Sequence, residues 1–179
     1  MEFTSEYRDR IPDIIELFRA VFSAADGKSE ADLVAGLVRD MFATTAETDL
    51  LAHSAWDGGA LTGCILFTRI RFPQDSRTVF ILSPAAVAAQ RQGQGIGQAL
   101  IRHGLSEIRK QGADAAVTYG DPAYYGKVGF QQITEAWAAA PVPLNHPEGW
   151  LAQSLTGAGL KPLHGPSECV PALRNPVYW

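Results

Sequence analysis

Apolar residues recur with a helical period in the first part of the chain and predict two amphipathic helices. The first covers residues 11–22, with Pro12 in the first turn, where a proline is tolerated because that N–H has no helical partner. The second covers residues 33–41, and Ser29 with Asp32 before it resembles a helix-start signal. The spacing of both stripes indicates that these helices pack against the core.

The pattern then changes to extended apolar runs, which predict strands. Residues 2–5 form a short candidate strand, and residues 50–56 and 61–72 form two longer ones. The Asp-Gly-Gly segment at 57–59 is typical of a hairpin turn, because glycine adopts the backbone angles that such turns need. Residues 73–76 turn the chain again. This turn leads into a central strand, so three antiparallel strands precede the glycine-rich segment at residues 92–97.

The middle of the chain predicts a strand, a turn, a helix and another strand. Residues 79–82 are a continuous apolar run, as expected of a central strand. Pro84 cannot donate a ladder hydrogen bond, so we expect the pairing to break or bulge there. The helical period returns over 96–110, and residues 115–119 form the next strand. This order implies a parallel crossover connection.

The last part of the chain differs from the rest in composition. Most of the eleven prolines lie between residues 136 and 179, which predicts irregular structure there. Residues 150–155 contain an apolar set that we interpret as one or two helical turns. Residues 177–179, Val-Tyr-Trp, are apolar to the last residue, so we expect the end of the chain to be docked as an edge strand or at a homodimer contact.

Together these elements predict one α/β domain over residues 1–179. Its core would be a mixed, strongly twisted sheet of about six or seven strands flanked by helices. A chain of 179 residues is long enough for one such core. Neither a repeat nor a second domain is visible.

Composition narrows the classes of function. Apolar residues make up 46% and charged residues 19%, and the net charge of −4 argues against binding to nucleic acid. Cys64 and Cys169 lack the spacing of a disulfide framework or a metal site, so we expect no metal. The N-terminus lacks a signal pattern and no apolar run could span a membrane, which predicts a cytoplasmic protein.

A glycine-rich turn, Gln-Gly-Gln-Gly-Ile-Gly at 92–97, follows the central strand. Glycines at alternate positions leave backbone N–H groups accessible, and the positive end of the following helix dipole favours an anion. We infer a phosphate cradle. A dinucleotide fingerprint would need a glycine at position 98, where the chain has Gln98, and a P-loop would need Gly-Lys-Ser/Thr, which is absent.

A second informative segment lies at residues 120–130. Asp121 is a natural N-cap, Pro122 a natural first helical residue, and Gly129 a natural end. We therefore expect one or two helical turns that present Tyr124 and Tyr125.

Both segments carry a family resemblance, which is specific from about residue 61 to residue 131. Gln92, Gly95 and Gly97, read with the strand before and the helix after, resemble the acetyl-CoA loop of the GNAT N-acetyltransferases. Tyr125, with the Gly-Phe pair that follows, matches that family's Tyr-x-x-x-Gly-Phe segment. More narrowly, the Gly-Asp-Pro-x-Tyr-Tyr sequence at 120–125 looks like that of a bacterial subgroup.

The resemblance implies roles for individual residues. Tyr125 would face the CoA sulfur and either donate a proton to the thiolate or hydrogen-bond it. The Val87 N–H would stabilise the oxyanion, since a strand that splays at Pro84 would free amides near Ala86, Val87 and Ala88. The pantetheine arm would pair with this strand. The residues implied in cofactor binding are Ala85, Ala86, Val87, Ala88, Gln92, Gly93, Gln94, Gly95, Ile96, Gly97, Gln98 and Tyr125.

The implied function is direct transfer of an acetyl group from acetyl-CoA to an amine, on a small molecule or on a protein or peptide, in a ternary complex. The sequence has no glutamate between residues 78 and 92 to act as the base, so Asp121, His53 or a water chain stay open for that role. Three alternatives also stay open: a CoA-binding regulatory module without turnover, an enzyme that uses a longer acyl-CoA, and a nucleotide-binding oxidoreductase.

Overall fold

The computed structural model describes residues 1–179 and contains four α-helices and eight strands, with short 3₁₀ turns between them. The helices are α1 (Ile11–Asp26), α2 (Lys28–Thr44), α3 (Ile96–Lys110) and α4 (Pro122–Tyr125). The strands are β1 (Glu2–Thr4), β2 (Leu50–Asp57), β3 (Ala60–Arg71), β4 (Val79–Val87), β5 (Ala115–Tyr119), β6 (Gln131–Gln132), β7 (Trp150–Ser154) and β8 (Glu168–Cys169).

The strands form one mixed sheet with the order β1-β2-β3-β4-β5-β7-β6, and β8 pairs with β3. Strands β4 and β5 are parallel, whereas β1–β2, β3–β8, β5–β7 and β6–β7 are antiparallel. This confirms the predicted α/β class with a mixed sheet. The strand predicted at residues 131–133 is present as β6, and the strand count exceeds six or seven because β8 is only two residues long, too short to show a period in the sequence.

By internal contacts the chain divides into two compact units, one of residues 1–67 and 84–104, the other of residues 68–83 and 105–179. In the first unit, α1 and α2 pack through buried apolar side chains such as Ile14, Phe18 and Val38. Pro12 lies in the first turn of α1 as predicted. The proposed start of α2 at Ser29 is wrong: the helix begins directly after Gly27, whose φ of 91° only glycine adopts easily.

In the second unit, β5 lies between β4 and β7. The predicted helical turns at 150–155 are wrong, because this segment is strand β7, which uses its backbone groups to pair with β5 and β6. The end of the chain is docked, as expected, but as a 3₁₀ turn rather than an edge strand. Trp179 is buried there, and its indole N–H donates to the Leu173 carbonyl at 2.8 Å.

A part-buried ion pair fixes the turn between β3 and β4. The Asp75 side chain is 4% exposed and receives hydrogen bonds from Arg77 Nε at 2.9 Å and Nη2 at 2.6 Å, and from the His164 amide at 3.1 Å. Arg77 Nη1 in turn donates to the Lys161 carbonyl at 2.9 Å. These hydrogen bonds from Arg77 hold the pKa of the Asp75 carboxyl far below its usual range.

We expect Asp75→Asn to lower the free energy of unfolding by about 2 kcal/mol at neutral pH, because Arg77 then keeps its burial but loses its countercharge. Since the folded-state pKa of Asp75 is depressed, its contribution is present above the unfolded pKa of about 4 and is lost as the pH falls. Urea unfolding at neutral and acidic pH should therefore show the difference shrinking in acid. Asp13→Asn, in an exposed pair with Arg10, is the control and should change stability much less.

Candidate functional site

The glycine-rich segment between β4 and α3 presents a row of backbone N–H groups without backbone partners. No amide from residue 93 to residue 98 donates to a backbone carbonyl, and the first helical hydrogen bond of α3 runs from Ala99 to Gly95 at 3.0 Å. Gly93 and Gly95 have φ values of 73° and 77°, and a Cβ on either would meet nothing within 4 Å. Residues 92–95 are exposed. The segment is therefore an open cluster of donors at a helix N-terminus, suited to a phosphate anion.

Side chains hold this segment in its shape. Gln92 Nε2 donates to the Val87 carbonyl at 3.0 Å, which ties the loop to the end of β4. Arg91 Nη2 donates to Asp57 Oδ2 at 2.6 Å, in the β2–β3 hairpin turn, and this contact lowers the pKa of the Asp57 carboxyl. The sequence gives no signal for the Arg91 pair, because its two members lie far apart in the chain.

The pairing between β4 and β5 ends close to Pro84, where a break is predicted. On β4 it covers only Val79–Leu82 and ends two residues before Pro84. The strand itself nevertheless continues to Val87, so the chain does not break at the proline. The last part of β4 thus has extended backbone groups on one side that β5 does not pair.

The expectation that all three amides near the end of β4 are freed needs correction. Ala88 donates its N–H to the Thr62 carbonyl of β3 at 2.9 Å, so that amide is occupied. Backbone groups alternate in direction along a strand, so the Ala86 amide also faces β3 and the Val87 amide faces away. The Ala86 carbonyl lies 3.2 Å from the Cβ that Gly63 of β3 would carry, which agrees with this direction. Of the three amides, only that of Val87 is on the open side.

The segment that presents the tyrosines forms as predicted. Asp121 Oδ1 accepts a hydrogen bond from the Ala123 amide at 2.8 Å, and Pro122 is the first residue of α4. A 3₁₀ turn follows, and Gly129, with a φ of 99°, ends it in the left-handed region. Local signals are sufficient here because the cap, the proline and the glycine lie within nine residues.

Tyr125 lies in an aromatic environment in the second unit. Its ring packs edge-on against Phe130 at 5.8 Å and against Tyr124 at 5.2 Å, measured between ring centroids. Burial raises the pKa of the Tyr125 phenol to about 12. The phenol therefore keeps its proton at neutral pH and is able to act as a donor.

Neither side chain proposed as a base is free for that role. His53 is 1% exposed, with its ring edge-on to Phe67 at 6.1 Å and to His103 at 5.4 Å. The α3 backbone lies close above it, since a Cβ on Gly104 would come within 3.2 Å of the His53 ring. Asp121 is used as the cap of α4. This structure thus favours the water chain among the three candidates.

The buried Cys64 thiol is poorly suited to act as a nucleophile. Burial raises the pKa of the Cys64 thiol far above its usual range, which disfavours the thiolate that an acyl-cysteine mechanism needs. No group of three or more histidine, cysteine, aspartate or glutamate side chains is placed to hold a metal ion. None of the helices has the length and apolar character to cross a bilayer.

Comparison with known proteins gives a consistent family signal. The family model described as the acetyltransferase (GNAT) family matches residues 11–130. The chain is 40% identical over 144 residues to the uncharacterized N-acetyltransferase YjhQ of Escherichia coli K12, covering 77% of each chain. It is 32% identical over 120 residues to the uncharacterized N-acetyltransferase YhbS of the same strain, covering 67% of each.

Two solved structures share the fold. The crystal structure of E. coli YhbS in complex with CoA superposes with a TM-score of 0.79 at 24% identity, covering 97% of this chain and 92% of that one. A GNAT family acetyltransferase from Brucella melitensis in complex with acetyl-CoA gives a TM-score of 0.66 at 24% identity, covering 96% of each.

Proposed function

Because the chain belongs to the acetyltransferase (GNAT) family, we propose that it transfers an acetyl group from acetyl-CoA directly to the nitrogen of an amine. The observation that supports this most is the row of unpartnered amides from residue 93 to residue 98 at the start of α3, of which residues 93–95 are exposed. A diphosphate offers this row the negative charge and the acceptor oxygens that it lacks.

The cofactor would be held in two stretches. Residues 92–98 would bind the diphosphate, mainly through backbone N–H groups. The pantetheine arm would lie along the open side of β4, next to Ala85 and Val87, where the backbone groups of Val87 face away from β3. Ala86 and Ala88 would contact it through their side chains at most, because their amides face β3.

Two groups of the protein, the Val87 N–H and the Tyr125 phenol, would assist the transfer. The amine attacks the thioester carbonyl, and the Val87 N–H stabilises the negative charge that develops on the oxygen. The C–S bond then breaks, and the departing sulfur takes the proton of the Tyr125 phenol. The attacking nitrogen loses its own proton to water, since His53 and Asp121 have structural contacts. Water also returns a proton to the phenolate, so the net reaction yields amide and free CoA.

We extend the proposal to the subgroup, the cellular location and the partners of the protein. The Gly-Asp-Pro-x-Tyr-Tyr segment would place it in a bacterial subgroup of the family, and its 40% identity to an E. coli protein supports this. Both cysteines are unpaired, in keeping with the reducing cytoplasm. The acceptor would be an amine on a small molecule or on a protein or peptide. Nucleic acid and membranes are not proposed as partners, and a homodimer stays a prediction.

The experiment is thiol release from acetyl-CoA across a panel of small polyamines, aminosugars and peptide amines. We expect release of CoA thiol that depends on the amine and yields an N-acetylated product of matching mass. Binding of CoA without release for any amine would instead favour a regulatory module. Faster release from propionyl- or butyryl-CoA would favour a longer acyl donor.

A further inference from the structure

The β2–β3 hairpin holds the chain at two points just before the row of open amides at residues 93–98. The Ala88 amide donates to the Thr62 carbonyl of β3 at 2.9 Å. At the tip of the hairpin, Asp57 Oδ2 accepts a hydrogen bond from Arg91 Nη2 at 2.6 Å. Arg91 ends the 3₁₀ turn of residues 89–91 and is followed directly by Gln92, the first residue of the glycine-rich segment. The hairpin therefore supports this segment from its N-terminal side.

The position of the Arg91 side chain depends on Asp57. Asp57 Oδ2 is the one atom of the protein that accepts a hydrogen bond from this guanidinium. Arg91 Nε is buried and donates to no protein group, which costs free energy that an apolar side chain would avoid. Packing alone therefore does not explain an arginine here, whereas an anchor for the turn at residues 89–91 does.

We propose that Asp57 is a positioning residue for the cofactor: through Arg91 it holds the row of amides in the arrangement that accepts a diphosphate. This rests on the proposed binding of acetyl-CoA. Gly93 and Gly95 have positive φ values, and glycine loses more conformational freedom than any other residue when it is ordered. An anchor that orders these amides in the free protein reduces the entropy that is lost when CoA binds.

The charge of Asp57 gives the proposal a sign that can be tested. The phosphates of CoA are anionic, so a carboxylate near the loop repels them, and its removal alone would tighten CoA binding. Asp57→Ala removes both the charge and the acceptor, whereas Asp57→Asn removes the charge and keeps an acceptor oxygen. Repulsion alone predicts the same gain in affinity for both variants. Positioning predicts a loss of affinity that is larger for alanine than for asparagine.

Isothermal titration with CoA measures this sign. We expect Asp57→Ala to weaken CoA binding about fivefold and Asp57→Asn about twofold, the range of one partly exposed ion pair. Glu47→Gln is the matched control, because Glu47 pairs with Arg8 at the same distance of 2.6 Å before the opposite end of β2. It should leave CoA affinity unchanged. Unchanged or tighter binding by Asp57→Ala would overturn the positioning role.

A double-mutant cycle tests whether Asp57 acts through Arg91. Arg91→Met keeps a long side chain and removes the hydrogen bond, so in this background Asp57→Ala should no longer weaken CoA binding. Asp57 also lies in the hairpin turn, and its Oδ1 is 3.8 Å from the Met1 nitrogen. A loss of affinity that persists in the Arg91→Met background would assign the effect to one of these features and overturn the proposal.

Tryptic cleavage of the Arg91–Gln92 bond is a second readout that needs no CoA. Trypsin must take the arginine side chain into its specificity pocket, and Asp57 holds that side chain on the protein. We expect cleavage at this bond to be about fivefold faster in Asp57→Ala and unchanged in Glu47→Gln. Equal rates in Asp57→Ala and the wild type would overturn the anchor. Absence of CoA binding by the wild type would overturn the proposed function instead, and the cleavage rates would still decide whether Asp57 holds the loop.

Discussion

Gly95→Glu is expected to weaken CoA binding by more than about a hundredfold, which corresponds to roughly 3 kcal/mol. The substitution places a carboxylate at the centre of the row of amides, where the diphosphate would lie, and like charges repel there. It also adds bulk to a surface that is open to solvent. Isothermal titration with CoA measures the change directly.

Two variants separate this effect from backbone strain. Gly95 has a φ of 77°, so any side chain strains it, and Gly95→Ala measures that strain without the charge. Gly157 has nearly the same φ of 78°, is exposed, and has nothing within 4 Å of its Cβ position. Gly157→Glu therefore adds the same charge and strain elsewhere and should leave CoA affinity unchanged. Equal affinity in the wild type and Gly95→Glu would refute the placement of the diphosphate.

Tyr125→Phe is expected to lower kcat about a hundredfold while CoA affinity stays nearly constant, because the phenol would act on the departing sulfur and not on the bound ground state. Steady-state thiol release and CoA titration together provide both numbers. Tyr124→Phe is the matched control, since Tyr124 lies next in the chain and in contact with the same ring. Full activity of Tyr125→Phe would remove Tyr125 from the acid role.

The dependence of the reaction rate on pH is an independent test of the acid role of Tyr125. The acid must be protonated to act, and burial raises the pKa of the Tyr125 phenol to about 12, so its active form persists through alkaline pH. We expect the rate to rise with pH as the amine substrate loses its proton, with no fall caused by Tyr125 below about pH 10. Tyr125→Phe should lower the whole profile without removing an ionisation from that range. A fall near neutral pH that disappears in the variant would contradict this.

Local signals in the sequence are sufficient where neighbours in the chain decide the structure. The hairpin turn at 57–59, the cap at Asp121 and the helix after the glycine-rich turn all form as the residues predict. Strand β7 could not be identified in this way, because its five residues suit a short helix as well as a strand. Pairing with β5 and β6, whose residues lie at least eighteen positions away, decides it.

The direction in which each β4 amide points depends on the strand register, which is set by residues that are distant in the chain. A one-residue change of register would exchange the open amides of β4 for its paired ones, and nothing near Val87 in the sequence fixes that register. The contact from Ala88 to Thr62 does so.

The hydrogen bond from Gln92 to the Val87 carbonyl has a consequence for how small an acetyl donor the protein could use effectively. It joins the first residue of the diphosphate loop to Val87, the residue whose N–H would face the reacting carbonyl. Ordering of the loop by the nucleotide half of CoA would therefore also steady the oxyanion donor. A small thioester such as S-acetyl-N-acetylcysteamine offers the same acetyl group without that half, so it would react slowly even at saturation, since remote binding energy contributes to the chemical step.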